Sequence, residues 1–317
     1  MTVATVPEEE FIKLWNQSGG SAAAVAKALK MDVRAIYSRR NRIENKLGQP
    51  LLSASVNSNR PKALPPGRIE AQIPDGVVLV GSDAHIWPGH LTPAQRGFIV
   101  LAQKLKLTAV IINGDLFDGA TVSRHQTGMW VQERRPTVKQ ELEACQNYLE
   151  ALQKAAGAAQ RFWMWGNHDA RYEARLSSLT PEYEGVAGFA LKDHFPAWKM
   201  GMSLWVNDDT VIKHRWHNGV HAVYNNAVKG GKSIVTGHLH SLKVTPWTDW
   251  NGTRYGVDTG TLSDPDGAQF DYTEDNARNH RAGFAVLTFR NGRLLLPELA
   301  QVWDESHIQF RGELINV

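Results

Sequence analysis

From residue 76 onward the chain is marked by short apolar runs, each of which stops at an acid, amide or imidazole. "GVVLVGSDAHIWPG" ends in Asp83-x-His85, and "LTAVIINGDLFDG" ends in Gly114-Asp115 with Asp118 three residues on. "RFWMWGNHDARYEARL" ends in Gly166-Asn167-His168-Asp169, "DTVIKHRWHNG" at His214, and "SIVTGHLH" in His238-x-His240. Runs of this length, rich in β-branched residues and bounded by Gly and polar residues, predict buried strands. Strand C-termini in α/β sheets converge on one crevice, so the five polar ends are predicted to meet. A helix is predicted over 137–156, and "GFAVLTFRNGRLLL" predicts a hairpin around Asn291-Gly292. The last stretch, "PELAQVWDESHIQFRGELINV", reads as a strand or as a tail covering a sheet edge.

The first 47 residues follow another pattern. Phe11, Leu14 and Trp15 share one face of a predicted helix over 8–17, which "GGS" breaks. Ser21 is placed to cap a second helix over 22–29, and Asp32 a third over 33–47. With Ala24, Val25, Leu29, Val33 and Ile36 as the apolar set, this predicts a small all-α helix-turn-helix module. Residues 48–75, rich in Pro, Ser, Asn and Gly, read as a flexible linker, and 76–317 as the main domain.

Charge sharpens this division. The net +3 is uneven, because residues 1–75 hold 11 Lys/Arg against 7 Asp/Glu while the remainder is nearly balanced. Seven bases lie between Lys27 and Lys46, against Asp32 and Glu44. The third helix would present Arg34, Tyr37, Ser38, Arg39, Arg40 and Arg42 outward, residue types suited to phosphates and base edges. DNA is the expected partner of this part. The alternative is a solvated basic helix on a bundle that makes protein contacts. Cys145 is the single cysteine, so no disulfide forms within the chain and any metal site uses N and O ligands. With no secretory signal and no apolar membrane span, a cytoplasmic location is expected.

The ordered set Asp-x-His, Gly-Asp-x-x-Asp, Gly-Asn-His-Asp, His, Gly-His-x-His resembles the calcineurin-like metallophosphoesterases over about residues 76–290. It resembles most the versions in bacteriophage genomes, with Arg171 soon after "GNH", Ser123-Arg124 after the second motif and a late Gly283-Phe284 strand. The resemblance implies a four-layer αββα sandwich, two mixed sheets face to face with helices outside. It also implies an enzyme with two divalent ions, Mn²⁺ ahead of Fe and Zn²⁺. His240 would join Asp83 and His85 on one ion, and His238 would join Asn167 and His214 on the other. Asp115 would bridge them, with a bridging water activated as hydroxide. The i, i+2 spacing of His238 and His240 is read as an extended segment that turns both rings to one side. His214 is favoured as the fourth-motif ligand because it continues the apolar strand, with His217 as the fallback. In the family, the histidine at the position of His168 protonates or stabilises the leaving oxygen. Asp118 would orient His168 and raise its pKa, while Asp169 would be structural.

Arg171 and Arg124 are the expected substrate contacts, and Arg134 and Arg135 offer further positive charge. Trp87, Trp130, Trp216, Trp247 and Trp250 lie near motif loops, as core fillers or as stacking platforms. His90, His125 and His221 have no assigned role. A basic helix-turn-helix tied to a dimetal hydrolase points to a DNA-directed phosphodiesterase or nuclease. The alternatives are a phosphomonoesterase addressed by its N-terminal module, and a non-catalytic adaptor. Oligomeric state is not readable.

Overall fold

A computed structural model describes residues 6–49, 51, 67–123, 135–273 and 278–317. The chain divides into two compact units, residues 1–65 and 66–317.

The first unit holds three helices, α1 (Glu8–Gln17), α2 (Ala22–Leu29) and α3 (Val33–Leu47). Ser21 caps α2 by accepting from Ala24 N, and Asp32 caps α3 by accepting from Arg34 N at 2.8 Å. Lys30 takes a left-handed backbone (φ 52°), which makes the tight turn between them. The core is Phe11, Trp15, Ala22, Val25, Ala26, Ile36 and Ile43. Two expected core residues lie outside it, since Ala24 is exposed and Val33 is 39% exposed. The basic face of α3 is also narrower than expected. Arg34, Tyr37, Ser38 and Arg42 are exposed, but Arg39 and Arg40 fold back onto the bundle. Arg39 donates to Val6 O and stacks over Phe11, and Arg40 pairs with Glu44 at 2.8 Å over Trp15. Long guanidinium stems that cover apolar rings serve the bundle as much as the solvent.

The second unit begins earlier than the sequence predicts. Strand β1 (Arg68–Ala71), inside the expected linker, pairs in parallel with β6 (Ser203–Val206). Ile69 and Ala71 turn into the core and Arg68 and Glu70 away from it, so four residues of alternation were enough.

The larger sheet has four parallel strands, β2 (Gly76–Gly81), β3 (Leu107–Ile112), β4 (Gln160–Met164) and, at one edge, β5 (Lys199–Gly201). β11 (Gly283–Arg290) lies antiparallel against β2 and turns through Asn291 and Gly292, both at positive φ, into β12 (Arg293–Leu294). The C-terminal stretch adds β13 (Glu298–Asp304), β14 (His307–Phe310) and β15 (Glu313–Asn316) to this sheet and forms its edge. The smaller sheet runs β1, β6, β7 (Thr210–Ile212), β8 (Ser233–Thr236), β10 (Gly252–Asp258), β9 (Lys243–Asp249).

Both faces of the central strands are buried, which is why they read as unbroken apolar runs. Val78, Val80, Ala109, Ile111, Phe162 and Met164 face Leu204, Val206, Ile212, Val235 and Val257 of the smaller sheet. Leu79, Val110, Ile112 and Trp163 face α4 (Pro93–Lys104) and α5 (Val138–Ala156), where Phe98, Leu101, Leu149 and Leu152 close the second core. α7 (Ala222–Gly230) packs on β8, β9 and β10 and completes the αββα order. Among the described residues, no helix is long and apolar enough to cross a membrane.

Candidate metal centre

The five motif strands lie in different sheets, β2, β3 and β4 in the larger and β7 and β8 in the smaller, and their ends meet where the sheets face each other. The loops after β2 and β3 run side by side: Asp83 N donates to Gly114 O, His85 N to Asp115 O and Ile86 N to Leu116 O, all within 3.0 Å. Gly237 N then ties the loop after β8 to His214 O at 2.9 Å. Two glycines permit this approach. A Cβ on Gly166 would overlap the Asp115 carboxylate, and one on Gly237 would overlap Ser82 and Asp83.

The backbone in these loops is unusual. Asp83, His85, Asp115, His238 and His240 all have φ between 41° and 70°. The segment carrying His238 and His240 is therefore not extended, as its spacing suggested; a left-handed residue at every second position turns both rings to the same side. Each such residue costs roughly 1–2 kcal/mol in an L-amino acid, a strain that native structures hold mainly at functional sites.

The result is two adjoining trios. Ligand atoms of Asp83, His85 and His240 lie within 4.8 Å of one another, as do those of Asp115, His214 and His238. Asp83 Oδ1 is 3.0 Å from His240 Nε2 and 3.9 Å from His214 Nε2, so it stands between the trios. His214 Nδ1 donates to Asn113 O at 2.8 Å, which turns Nε2 inward to 3.1 Å from Asp115 Oδ2. His217 instead bonds Asn226 Oδ1 and takes no part. Asn167 Oδ1 is buried and has no hydrogen-bond partner among the described residues. An orphaned carbonyl oxygen on the motif loop after β4, together with two imidazole–carboxylate trios without thiolate, fits divalent cations that accept N and O donors.

A third trio, His85, Asp118 and His168, is also close enough to hold an ion, but its atoms already bond one another. Asp118 Oδ1 accepts from His168 Nδ1 at 2.8 Å and from His85 Nδ1 at 3.0 Å, and Oδ2 accepts from Trp87 Nε1 at 3.0 Å. Arg171 reaches the same group rather than open solvent, donating from Nη1 to Asp118 O and placing Nη2 3.0 Å from His168 Nε2. Arg124, Trp130, His125 and Arg134 lie outside the described residues. Arg135 donates to Ala120 O, His90 and His221 are exposed, and Trp250 is fully exposed.

Asp169 is fully buried and collects four N–H groups, from Asp115 N, Phe117 N, Gly166 N and Trp163 Nε1. Three residues carry no sequence signal. Glu141, on α5, accepts from Gly119 N and Ala120 N and pins the turn after Asp118. Asp258 gathers Ser241 N, Leu242 N and Gly260 N behind His240. His280 sets its ring 4.5 Å from that of His240. None of the three ends an apolar run in a recognisable motif.

Electrostatics follow the crowding. Burial alone would lower the His214 pKa, but Asp115 and Asp83 outweigh it and push it up to about 10. Burial, then Asp118, pushes Glu141 up to about 8. Burial works against Asp118, yet the His168 and His85 hydrogen bonds hold it well below the usual carboxylate range. His168 moves opposite to the expected direction, because burial and the neighbouring His85 lower it more than Asp115 and Asp118 raise it.

These shifts set a stability profile. Above pH 6.5 the unfolded chain has released the protons of both Glu141 and His214, whereas the folded chain keeps them to about pH 8 and 10. Without metal, stability therefore falls as pH rises from 6.5 to 8, by up to about 1.4 kcal/mol per pH unit for each group. A divalent cation held by His214 would displace its proton and flatten the slope. Melting curves in chelator and in Mn²⁺ at pH 6.5, 7.5 and 8.5 check this, and a chelated protein that gains stability with pH contradicts it.

A two-sheet α/β sandwich with paired Asp/His trios at the meeting strand ends defines a hydrolase site built for metal cations. Residues 76–260, more than half of the chain, match the family model described as calcineurin-like phosphoesterase, and the chain belongs to that family. It is a metal-dependent phosphoester hydrolase. It is 26% identical over 211 residues to the Gene 54 protein of Mycobacterium phage L5, covering 61% of this chain and 81% of that protein. Similar solved structures include a Vps29 mutant from Entamoeba histolytica (13% identity, 76% of this chain and 99% of that one, TM-score 0.38). Another is the nuclease MPE of Pseudomonas putida (13% identity, 68% and 86%, TM-score 0.32).

Proposed function

We propose that the protein is a DNA-directed phosphodiesterase, a nuclease working with two divalent ions. The carrying observation is the exposed strip of α3, where Arg34, Tyr37, Ser38 and Arg42 lie free of the bundle core in the same chain as the dimetal site. Bases and small hydroxyls on one helix suit phosphate and base-edge contacts, and tethering raises the local DNA concentration at the hydrolase.

In this reading Asp83, His85 and His240 would hold one ion and Asn167, His214 and His238 the other, with Asp115 contributing to both. The pair would supply Lewis acidity at the phosphoryl oxygens and make a water acidic enough to act near neutral pH. The protein's own contribution lies beside it. His168 has its Nδ1 committed to Asp118, and its Nε2, which accepts from Arg171 here, is the atom that would meet the leaving oxygen in that guanidinium's place. Arg171, now 3.0 Å from that Nε2, is placed to share the charge that develops there.

The test is a Mn²⁺-supplemented panel of bis-p-nitrophenyl phosphate, p-nitrophenyl phosphate and labelled single- and double-stranded DNA. Each is run with the parent and with an Arg34→Ala/Arg42→Ala protein. Cleavage of DNA and diester is expected. The double variant should need more DNA for half-maximal rate, with a salt slope shallower by about 2, while the small diester is untouched. Monoester turnover with intact DNA would overturn the nuclease reading.

A further inference from the structure

The catalytic reading leaves one contact of Asp118 unexplained. The carboxylate is 4% exposed and receives three donors, two imidazoles on Oδ1 and the Trp87 indole on Oδ2. Two histidines crowding one oxygen while its twin serves a tryptophan is not what a freely turning carboxylate would choose. If Oδ2 had no donor, the carboxylate could give one oxygen to each imidazole, and His168 would follow its partner to a new orientation.

Trp87 is suited to preventing this. Its backbone follows directly on Ile86, which is bridged to Phe117 and bonded to Leu116 O at 2.9 Å, so the donor is fixed relative to the loop that carries Asp118. The ring is not a core filler. It borders an open cleft with Pro88, Gln140, Glu143 and Asn147 and belongs to neither apolar core. A large, half-buried indole whose one polar atom meets a carboxylate acts through that atom.

We propose that Trp87 is a positioning residue for phosphoester cleavage: it holds the Asp118 carboxylate in the plane that aims His168 at the leaving oxygen. This rests on the reading of His168 as the group that assists that oxygen. Trp87 acts through Asp118, to whose Oδ2 its one polar atom donates.

The test compares Trp87→Leu, which has no donor, with Trp87→Gln, which has similar bulk and an amide N–H of similar reach. Both are assayed on an alkyl ester and a p-nitrophenyl ester of the phosphate class that the enzyme hydrolyses. An alkoxide leaves poorly and needs His168, whereas nitrophenolate leaves with little help. Trp87→Leu should lower kcat on the alkyl ester by about tenfold and on the nitrophenyl ester by less than about twofold, with unchanged metal content. Trp87→Gln should recover most of the alkyl-ester rate. Equal defects in the Leu and Gln enzymes, or equal losses on both esters, would show that the ring matters only as packing and would overturn the proposal. If the Leu enzyme shows no melting transition, Trp87→Phe, which keeps a ring without a donor, is held to the same outcomes. His168→Ala separates the two readings. If it loses both esters equally, the assignment of His168 fails and the proposal falls with it. If it spares the nitrophenyl ester while Trp87→Leu does not, only the Trp87 proposal fails.

Discussion

His168→Ala is expected to lose about 10²–10⁴ of its turnover on an alkyl phosphoester while keeping the metal content of the parent. The separation follows from where the two ends of this residue go. Its backbone N–H donates to Asp115 Oδ1 at 2.8 Å, a bond that alanine keeps, so the Asp115 carboxylate stays in place. Its ring belongs neither to the Asp83–His85–His240 trio nor to the Asp115–His214–His238 trio, and its two nitrogens meet Asp118 and Arg171 instead. On the proposed assignment, removing the ring takes away the group that assists the leaving oxygen and leaves the residues that would hold the cations whole. Metal analysis after desalting, set beside kcat at saturating substrate, decides the matter. A variant that lost metal in step with activity would make the His85–Asp118–His168 cluster a cation site, and one within tenfold of the parent would remove His168 from the chemistry.

Much of this centre could be read in the sequence because of how its strands are buried. Strands covered on both faces must be apolar throughout, so the acids, amides and imidazoles within three residues of each run's end mark where the chain enters the crevice. That made Asp83, Asp115, Asn167, His214 and His238 conspicuous. What stayed hidden was whatever depends on contacts across the chain or on backbone sign. The left-handed φ at five site residues has no signature in residues other than glycine. Trp87 meets Asp118 across 31 residues, and His280 meets His240 from a stretch with no apolar run before it. Arg39 and Arg40 looked like their exposed neighbours, because helical spacing alone does not show that Phe11 and Trp15 lie beneath them. The pKa of His168 departs from its motif for a related reason. Its carboxylate partner was visible in the motif, but the burial and the second imidazole that outweigh it were not.

Asp169 was expected to be structural, and its contacts predict how much. Oδ2 accepts from Asp115 N, Gly166 N and Trp163 Nε1, and Oδ1 from Phe117 N, all between 2.8 and 3.1 Å. One side chain thus ties the loop after β3 to the loop after β4 and to the strand between the two cores. Asp169→Ala leaves four buried donors without an acceptor, at about 1–3 kcal/mol each, so a loss of about 5 kcal/mol or more is expected. For a unit of this size that lowers Tm by about 10 °C or more. Asp169→Asn should fall between the two, because its oxygen can keep the three bonds at Oδ2 while its amide N–H₂ is forced against Phe117 N–H. Both changes also release the loops that carry Asp115 and Asn167, so cation affinity should fall with stability, unlike in His168→Ala. Calorimetry of the two variants with and without Mn²⁺ checks the order. A melting temperature for Asp169→Ala within about 2 °C of the parent would mean that water replaces the carboxylate and that the tie between the two loops is not what holds the centre together.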